Sequence, residues 1–178
     1  MEFFDLLDEA GNKTGNIKAR EAVHQDGDWH RTVHVWIVNN NDEILLQKRS
    51  PNKDSYPNMW DISSAGHLAL GDDSLSCAVR EIKEELGLDI SPSQLTFIGT
   101  KKSKGRYNST FIDNEFNDIY LLRISFNIKN LCLQKEEVSE VRLVSINEFR
   151  TMIKANDKTL LMHGDEFEML FKALGYRL

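Results

Sequence analysis

Three glutamates occur within five residues near the middle of the chain, at Glu81, Glu84 and Glu85. If this stretch is a helix, the spacings i, i+3 and i+4 bring the carboxylates to one side of it, where they repel one another. A divalent cation would remove that repulsion, and carboxylate oxygens suit hard ions such as Mg²⁺ or Mn²⁺. Because Mg²⁺ usually keeps positions open for substrate phosphates, the cluster predicts an accessible metal site. A solvated acidic helix face without any ion is the alternative interpretation.

The residues around the glutamates predict the helix itself. Asp72 or Asp73 can cap its start, and Gly87 can end it. Gly66 precedes it in a tight loop, and Arg80 adjoins the first glutamate. At helical periodicity one face is apolar, formed by Leu75, Ala78, Val79, Ile82 and Leu86. A helix that only had to be soluble would not need these glycines and this arginine at fixed spacing, which favours the metal interpretation.

Hydrophobic patterns elsewhere predict the elements that must position this helix. Apolar runs indicate strands at 31–38, 43–48, 60–64, 95–100, 117–128 and 138–144. A hairpin joins 1–7 to 17–19 across a glycine-rich and asparagine-rich turn. Two helices follow at 146–178, the first opened by a capping box at Ser145 and Glu148. Strands mixed with helices indicate an α/β layered domain with a mixed sheet.

Composition limits the class of protein. The chain has 178 residues, 40% hydrophobic and 28% charged, which suits one domain over 1–178 with a hairpin extension at 1–30. The net charge of −6 argues against nucleic-acid or anionic-membrane partners. Two cysteines, no leader pattern and no long apolar run lead us to expect a cytoplasmic protein that binds a small molecule. No motif reports on assembly, so a homodimer stays an open alternative.

The spacing of the central segment resembles a known signature. Gly66 to Leu88 reads Gly-x5-Asp-x7-Arg-Glu-Ile-x-Glu-Glu-x-Gly-Leu, which is similar to the box of the Nudix hydrolases. It departs once, because Asp72 stands where the family has glutamate. The resemblance implies an α/β/α sandwich around a mixed sheet, with 66–88 as a loop and helix. It also implies Mg²⁺ or Mn²⁺ as cofactor and a small-molecule diphosphate as substrate, cleaved by water.

Carried over by position, the resemblance assigns roles to five residues. It implies that Glu81, Glu84 and Glu85 are metal ligands, that the Gly66 carbonyl is a further ligand, and that Arg80 orients Glu81. The general base stays open between Glu81 and a residue of a later loop, because the family places this role in either position.

A second resemblance extends over about 22–144, to the type I isopentenyl-diphosphate isomerases of the same superfamily. It implies a divalent-metal site from residues matching His24, His30, His67, Asp113 and Glu115. The catalytic cysteine of the isomerases, however, corresponds to Ala65 here. A methyl group can neither donate nor accept the proton that moves in allylic isomerisation.

We therefore expect a metal-dependent hydrolase of a diphosphate linkage in a nucleoside diphosphate linked to another group, or in a related metabolite. The alternatives are an isopentenyl-diphosphate isomerase and a non-catalytic module that binds a phosphorylated ligand. Several residues keep a structural alternative: His30 and His67 can simply pack, and Glu115 can be a loop acid. We interpret His34 and His163 as structural. The basic run at 101–106 has two interpretations, contact with substrate phosphates or a solvated loop, and we favour the loop.

Overall fold

The computed structural model describes residues 2–178 and centres on one mixed β-sheet. Across these residues the strands are β1 (Phe3–Leu7), β2 (Lys13–Ala19), β3 (Trp29–Val38), β4 (Glu43–Arg49), β5 (Trp60–Asp61), β6 (Ser64–His67), β7 (Leu95–Arg106), β8 (Ile112–Arg123) and β9 (Val138–Ser145). The helices are α1 (Arg20–Asp26), α2 (Ser74–Leu86), α3 (Ile146–Lys154) and α4 (Asp165–Ala173), with 3₁₀ turns at Pro92–Gln94 and Ile128–Asn130. Strand β3 is central, since it pairs with β1, β4 and β6 antiparallel and with β8 parallel.

The two faces of β3 explain the layering. Val33, Val35 and Ile37 point to one side, where α2 covers them with an apolar face of its own. Trp36 points to the other side, where α3 and α4 pack, and Phe149 belongs to the same core cluster. One helix on one face and two on the other confirm the predicted α/β/α sandwich.

The predicted hairpin is present as β1 and β2, although its first predicted residue, Met1, lies outside the described residues. The sequence analysis missed α1, which follows directly and is seven residues long. It buries Val23 and His24 and ends at Gly27, whose φ of +71° suits glycine. A helix of two turns is too short to show a clear hydrophobic period.

Three predicted strands, at 60–64, 95–100 and 117–128, have other bounds in the structure. The strand predicted at 60–64 is divided into β5 and β6, because Asp61 Oδ1 accepts a hydrogen bond from the Ile62 N–H that a continuous ladder would use. Strands β7 and β8 extend through 95–106 and 112–123, so the basic run and Glu115 lie on strands and not in loops. Parallel pairing with β3, which sets His30 beside Glu115, supplies the backbone partners of this polar stretch.

Candidate active site

Helix α2 presents its glutamates from a well-defined position. Its N-cap is Asp73, whose side chain accepts the Ser76 N–H at 3.0 Å, and Gly87 ends it with a φ of +71°. Asp72, the one departure from the family signature, lies 3.3 Å from Arg80 and so keeps a charged partner. Caps at both ends therefore fix the helix without any contribution from a ligand.

Glu81 lies against the backbone of β6. A Cβ atom built on Gly66 would collide with the carboxyl carbon of Glu81, so only glycine permits this approach. Arg80 Nη1 donates to Glu81 Oε1 at 2.7 Å and to Glu84 Oε2 at 3.2 Å. Its other terminal nitrogen donates to the carbonyl oxygen of His67 at 3.2 Å. Arg80 thus holds two of the glutamates beside Gly66, which lies on strand β6 and not in the predicted tight loop, because it pairs with Val33 of β3.

The three glutamates differ in their surroundings. The Glu84 side chain is half exposed, whereas Glu85 is buried and accepts hydrogen bonds from Ser64 Oγ at 2.6 Å and from the Ala65 N–H at 3.2 Å. Glu81 is intermediate, with 13% of its side chain exposed. The predicted carboxylate face therefore runs from solvent inward to β6.

Burial changes the acidity of two of these groups. Burial raises the pKa of Glu81 to about 7, although Arg80 opposes the rise, and Glu84 adds to it. Burial likewise raises the pKa of Glu85 to about 8, against the hydrogen bond from Ser64 and with repulsion from Glu81. Both carboxylates hold protons more tightly than usual, and a divalent cation is the partner that would favour their charged forms.

A second cluster of titratable groups lies beside the first. His24 of α1, His30 of β3 and His67 of β6 bring ring nitrogens within 4.8 Å of one another, and His30 does the same with Asp113 and Glu115 of β8. The structure therefore assembles the five residues singled out by the isomerase resemblance. His67 also connects the two clusters, because it follows Gly66 directly.

Several polar atoms of this second cluster are buried without a hydrogen bond among the described residues: both ring nitrogens of His24, Nε2 of His30, Nε2 of His67 and Oδ1 of Asp113. His24 Nδ1 and Asp113 Oδ1 are 2.9 Å apart, yet their angles do not form a hydrogen bond. Orphaned buried donors are costly, and convergent imidazole and carboxylate atoms fit a divalent cation. The ligand atoms of this cluster therefore fit a divalent metal ion.

Aromatic rings close the second cluster from the N-terminal side. Phe4 of β1 stacks on His30 and His67 with ring centroids 5.4 and 5.0 Å apart, and Phe111 stacks on His24 at 4.5 Å. Burial lowers the pKa of His67 well below its ordinary value, and the charges of Arg20 and His30 add to this effect. A neutral imidazole is the form that ligates metals.

The sequence analysis missed a third cluster. His34 of β3 and His163 both contact Glu166 of α4, a buried carboxylate in the first turn of that helix. The sequence analysis interprets both histidines as structural. The signal was present in β3, where His30, Thr32 and His34 alternate on one face and so predict a polar stripe along the sheet.

All three clusters meet a single cavity of about 680 Å³. Its wall includes candidate residues from the sequence analysis, namely Gly66, His67, Arg80, Glu81, Glu84, Glu85 and Glu115. Lys101, Lys104 and Tyr56 also line it, whereas Lys102 lies over the Trp29 ring at 4.3 Å. Trp60 packs against the core. A polar cavity lined by both acidic and basic groups suits a charged ligand.

The helices of residues 2–178 are all too short or too polar to cross a bilayer.

Comparison with known proteins identifies the family. The NUDIX domain model matches residues 28–163. The chain is 44% identical to Nudix hydrolase 3 of Arabidopsis thaliana over 99% of its own length, and 41% identical over 83% to an uncharacterized Nudix hydrolase of Clostridium acetobutylicum. The solved structure of DR0079 from Deinococcus radiodurans has a TM-score of 0.70 at 21% identity, over 96% of this chain and 98% of that one. The chain belongs to the Nudix family, which confirms the resemblance and the fold.

The same comparisons bear on function. The curated relatives above are named hydrolases, which confirms the expectation of an enzyme at the level of the family. The chain spans 24% of the Arabidopsis relative and 71% of the clostridial one. It is also 29% identical to an isopentenyl-diphosphate Delta-isomerase of Pectobacterium atrosepticum, over 80% of this chain and 76% of that one. Both branches found in the sequence analysis are therefore represented among its relatives.

Proposed function

We propose that this protein is a metal-dependent hydrolase of a diphosphate linkage in a nucleoside diphosphate linked to another group, or in a related small metabolite. The observation that carries the proposal is the placement of Glu81 against Gly66, with Glu84 and Glu85 beside it, on the wall of the cavity. The three carboxylates repel an anionic substrate, and a bridging cation would offset that repulsion.

Glu81, Glu84, Glu85 and the Gly66 carbonyl are the groups that would hold Mg²⁺ or Mn²⁺. Such an ion, when bound, offsets the negative charge of the diphosphate and lowers the pKa of water. Arg80 orients Glu81, while Lys104 of the cavity wall offers a cation to the outer phosphate oxygens. Lys101 also lines the cavity, where its ammonium donates to the carbonyl oxygen of His163. Arg80 holds Glu81 on the cavity wall beside Gly66, and this placement supports Glu81 over a residue of a later loop as the general base for the attacking water.

We further propose that His24, His30, His67, Asp113 and Glu115 hold a second divalent cation. The support is the set of buried ring nitrogens without hydrogen bonds that converge on one point. Glu115 lies 3.6 Å from His30 Nε2 and 3.7 Å from His67 Nε2, so its carboxylate faces both rings. Interaction with His30 keeps the pKa of Glu115 well below its ordinary value despite burial, so it is available as a charged ligand.

A screen of nucleoside diphosphates, nucleotide sugars, dinucleotides and isoprenoid diphosphates with Mg²⁺ or Mn²⁺, read by product mass, tests the activity. Glu81→Gln and Glu84→Gln keep side-chain volume and remove the charge. Glu81→Gln removes the proposed base and Glu84→Gln removes a proposed metal ligand, and each change is expected to lower kcat by about 10²-fold or more. Glu168→Gln, the same change at an exposed position of α4, is the control and should retain full turnover. Unchanged turnover in both cavity variants would contradict the metal-helix mechanism, and no turnover with any substrate would favour a binding module.

Isomerisation of isopentenyl diphosphate is the second candidate function, favoured by the five-residue cluster and by the isomerase relatives. Ala65 weighs against it, because its methyl group lies where the isomerases carry their cysteine. We expect no migration of the double bond when the protein is incubated with isopentenyl diphosphate and both metals. Proton NMR of the product decides the question, since allylic conversion at an enzymatic rate would reverse our order of the two functions.

A further inference from the structure

A row of buried polar side chains forms the part of the cavity wall that no role above explains. His34 Nδ1 lies 2.9 Å from Glu166 Oε2, and the indole N–H of Trp36 donates to Glu166 Oε1 at 2.9 Å. Glu166 has no solvent-exposed surface. A buried carboxylate is stable only when its charge is compensated, so these contacts fix both the charge and the position of Glu166.

His163 extends the row on its other side. Its Nε2 lies 2.6 Å from Asp61 Oδ1, and Arg49 donates to the second oxygen of Asp61 at 3.1 Å. Its Nδ1 lies 3.8 Å from Glu166. Although burial opposes it, attraction by His34 and then His163 lowers the pKa of Glu166 to about 2. Glu166 is therefore an anion at neutral pH, and His34 must carry its proton on Nδ1 to meet it.

The remaining nitrogen of His34, Nε2, has no hydrogen-bond partner within residues 2–178, and His34 lines the cavity. His34 is paired across the sheet with Ala65, so the two side chains share the cavity face of β3 and β6. The Ala65 N–H in turn contacts Glu85. His34 Nε2 thus faces the ligand space one strand away from the glutamates of α2.

We propose that His34 is a substrate-binding residue whose Nε2–H donates a hydrogen bond to a phosphoryl oxygen in the cavity, with Glu166 as the positioning residue behind it. This inference rests on the proposed function, which supplies the diphosphate. A cationic donor backed by a fixed carboxylate forms a stronger hydrogen bond to an anion than a neutral donor does. The small Ala65 side chain opposite His34 leaves the approach to Nε2 open.

The charged state of His34 follows from its neighbours. Burial alone would lower its pKa, but the carboxylates of Glu166, Glu115 and Asp61 raise it above its ordinary value. These acids come from α4, β8 and β5, and His163 is the other titratable group in contact. An incoming phosphate adds further negative charge beside the ring, so binding itself favours the imidazolium.

A third metal ion is the alternative use of this row, because atoms of His34, His163 and Glu166 lie within 4.8 Å of one another. Here, however, His34 Nδ1 and both oxygens of Glu166 already make hydrogen bonds, unlike the orphaned atoms of the five-residue cluster. We therefore favour the donor role, and the test distinguishes the two.

The experiment uses imidodiphosphate, a non-hydrolysable diphosphate, with Mg²⁺ and the full chain. Calorimetry gives its Kd, and nitrogen-15 NMR of the imidazoles gives the protonation of His34. Asn and Gln substitutions separate the two ring nitrogens, since an Asn amide reaches about as far as Nδ1 and a Gln amide about as far as Nε2. We expect His34→Asn to weaken imidodiphosphate binding about tenfold or more, and His34→Gln to restore much of the loss. Glu166→Gln should lower the pKa of His34 in the NMR titration.

The outcomes separate this inference from the proposed function. Imidodiphosphate that binds His34→Asn as tightly as wild type, with native folding shown by circular dichroism, overturns the inference and leaves the hydrolase proposal intact. So does a His34 Nε2 resonance that does not move on binding. A Zn²⁺ titration that shifts His34 and His163 together, without imidodiphosphate, would establish the metal alternative in its place. Wild type that neither binds imidodiphosphate nor hydrolyses any diphosphate overturns the function, and this inference with it.

Discussion

At the scale of single residues, the position of the Glu81 carboxylate depends on the absence of a side chain at Gly66. Glu81 is held from one side by Arg80 and from the other by the backbone of β6. No other residue type would let the carboxyl carbon come so close to the backbone of β6. The glycine therefore acts on the chemistry by allowing this contact, and its backbone flexibility is secondary because its φ is not in the left-handed region.

Gly66→Ala should displace Glu81 and lower kcat by about a hundredfold, because a displacement of about 1 Å at a reacting group has effects of this size. The binding constant for Mn²⁺, measured by electron paramagnetic resonance, should weaken in parallel. Gly105→Ala is the matched control, since a Cβ there meets atoms only at 3.8 Å, an ordinary contact. Wild-type kcat in a correctly folded Gly66→Ala would show that Glu81 need not lie where the structure places it.

At the scale of elements, the sequence predicted the parts with strong local signals. Helix α2 was predicted from its caps and apolar face, and α3 from the capping box in which Ser145 accepts the Glu148 N–H. The extended strands around Asp113 and Glu115 were not predicted, because their polar residues are stabilised by pairing with β3 and not by a hydrophobic period. The contact of Glu166 with His34 joins residues 132 positions apart and leaves no local signature.

The N-terminal elements contact the five-residue cluster, although the sequence analysis describes residues 1–30 only as a hairpin extension. Strand β1 supplies Phe4, whose ring stacks on two histidines of the proposed second metal site, and α1 supplies His24 to the same site. These contacts support the proposal that 1–178 is one domain. They also predict that a change in β1 alters metal binding without touching any ligand.

Phe4→Ala removes a ring that is 1% exposed and should lower the free energy of unfolding by about 3 kcal/mol. It should also weaken Mn²⁺ binding, because His30 and His67 lose the surface that fixes their rings. Phe3→Ala is the control from the same strand, since Phe3 is 43% exposed and should change the unfolding free energy by only about 0.5 kcal/mol. Equal effects of the two changes in chemical denaturation would show that β1 does not pack as described.

At the scale of the whole molecule, buried acids of two kinds give opposite dependences of stability on pH. Glu81 and Glu85 have raised pKa values, so their contribution is complete below their unfolded pKa of 4.5 and is lost as pH rises to about 8. Glu166 and Asp61 have lowered pKa values, since histidine and arginine partners outweigh burial. Their contribution is present at neutral pH and is lost as pH falls below about 4. Only the first pair responds to the proposed cation.

Mg²⁺ should therefore stabilise the protein much more at pH 8.5 than at pH 5.5, because it competes with protons for Glu81 and Glu85. Glu85→Gln separates this effect from the other titrating groups, since a neutral amide resembles the protonated acid. Without metal, the unfolding free energy of the variant should rise relative to that of wild type by on the order of 3 kcal/mol between pH 5.5 and pH 8.5. With Mg²⁺ at pH 8.5, the unfolding free energy of wild type should rise, and that of the variant should rise less. Urea denaturation of both proteins, with and without Mg²⁺ at each pH, measures these unfolding free energies. A magnesium response of wild type that is equal at the two pH values would mean that these carboxylates do not bind the ion.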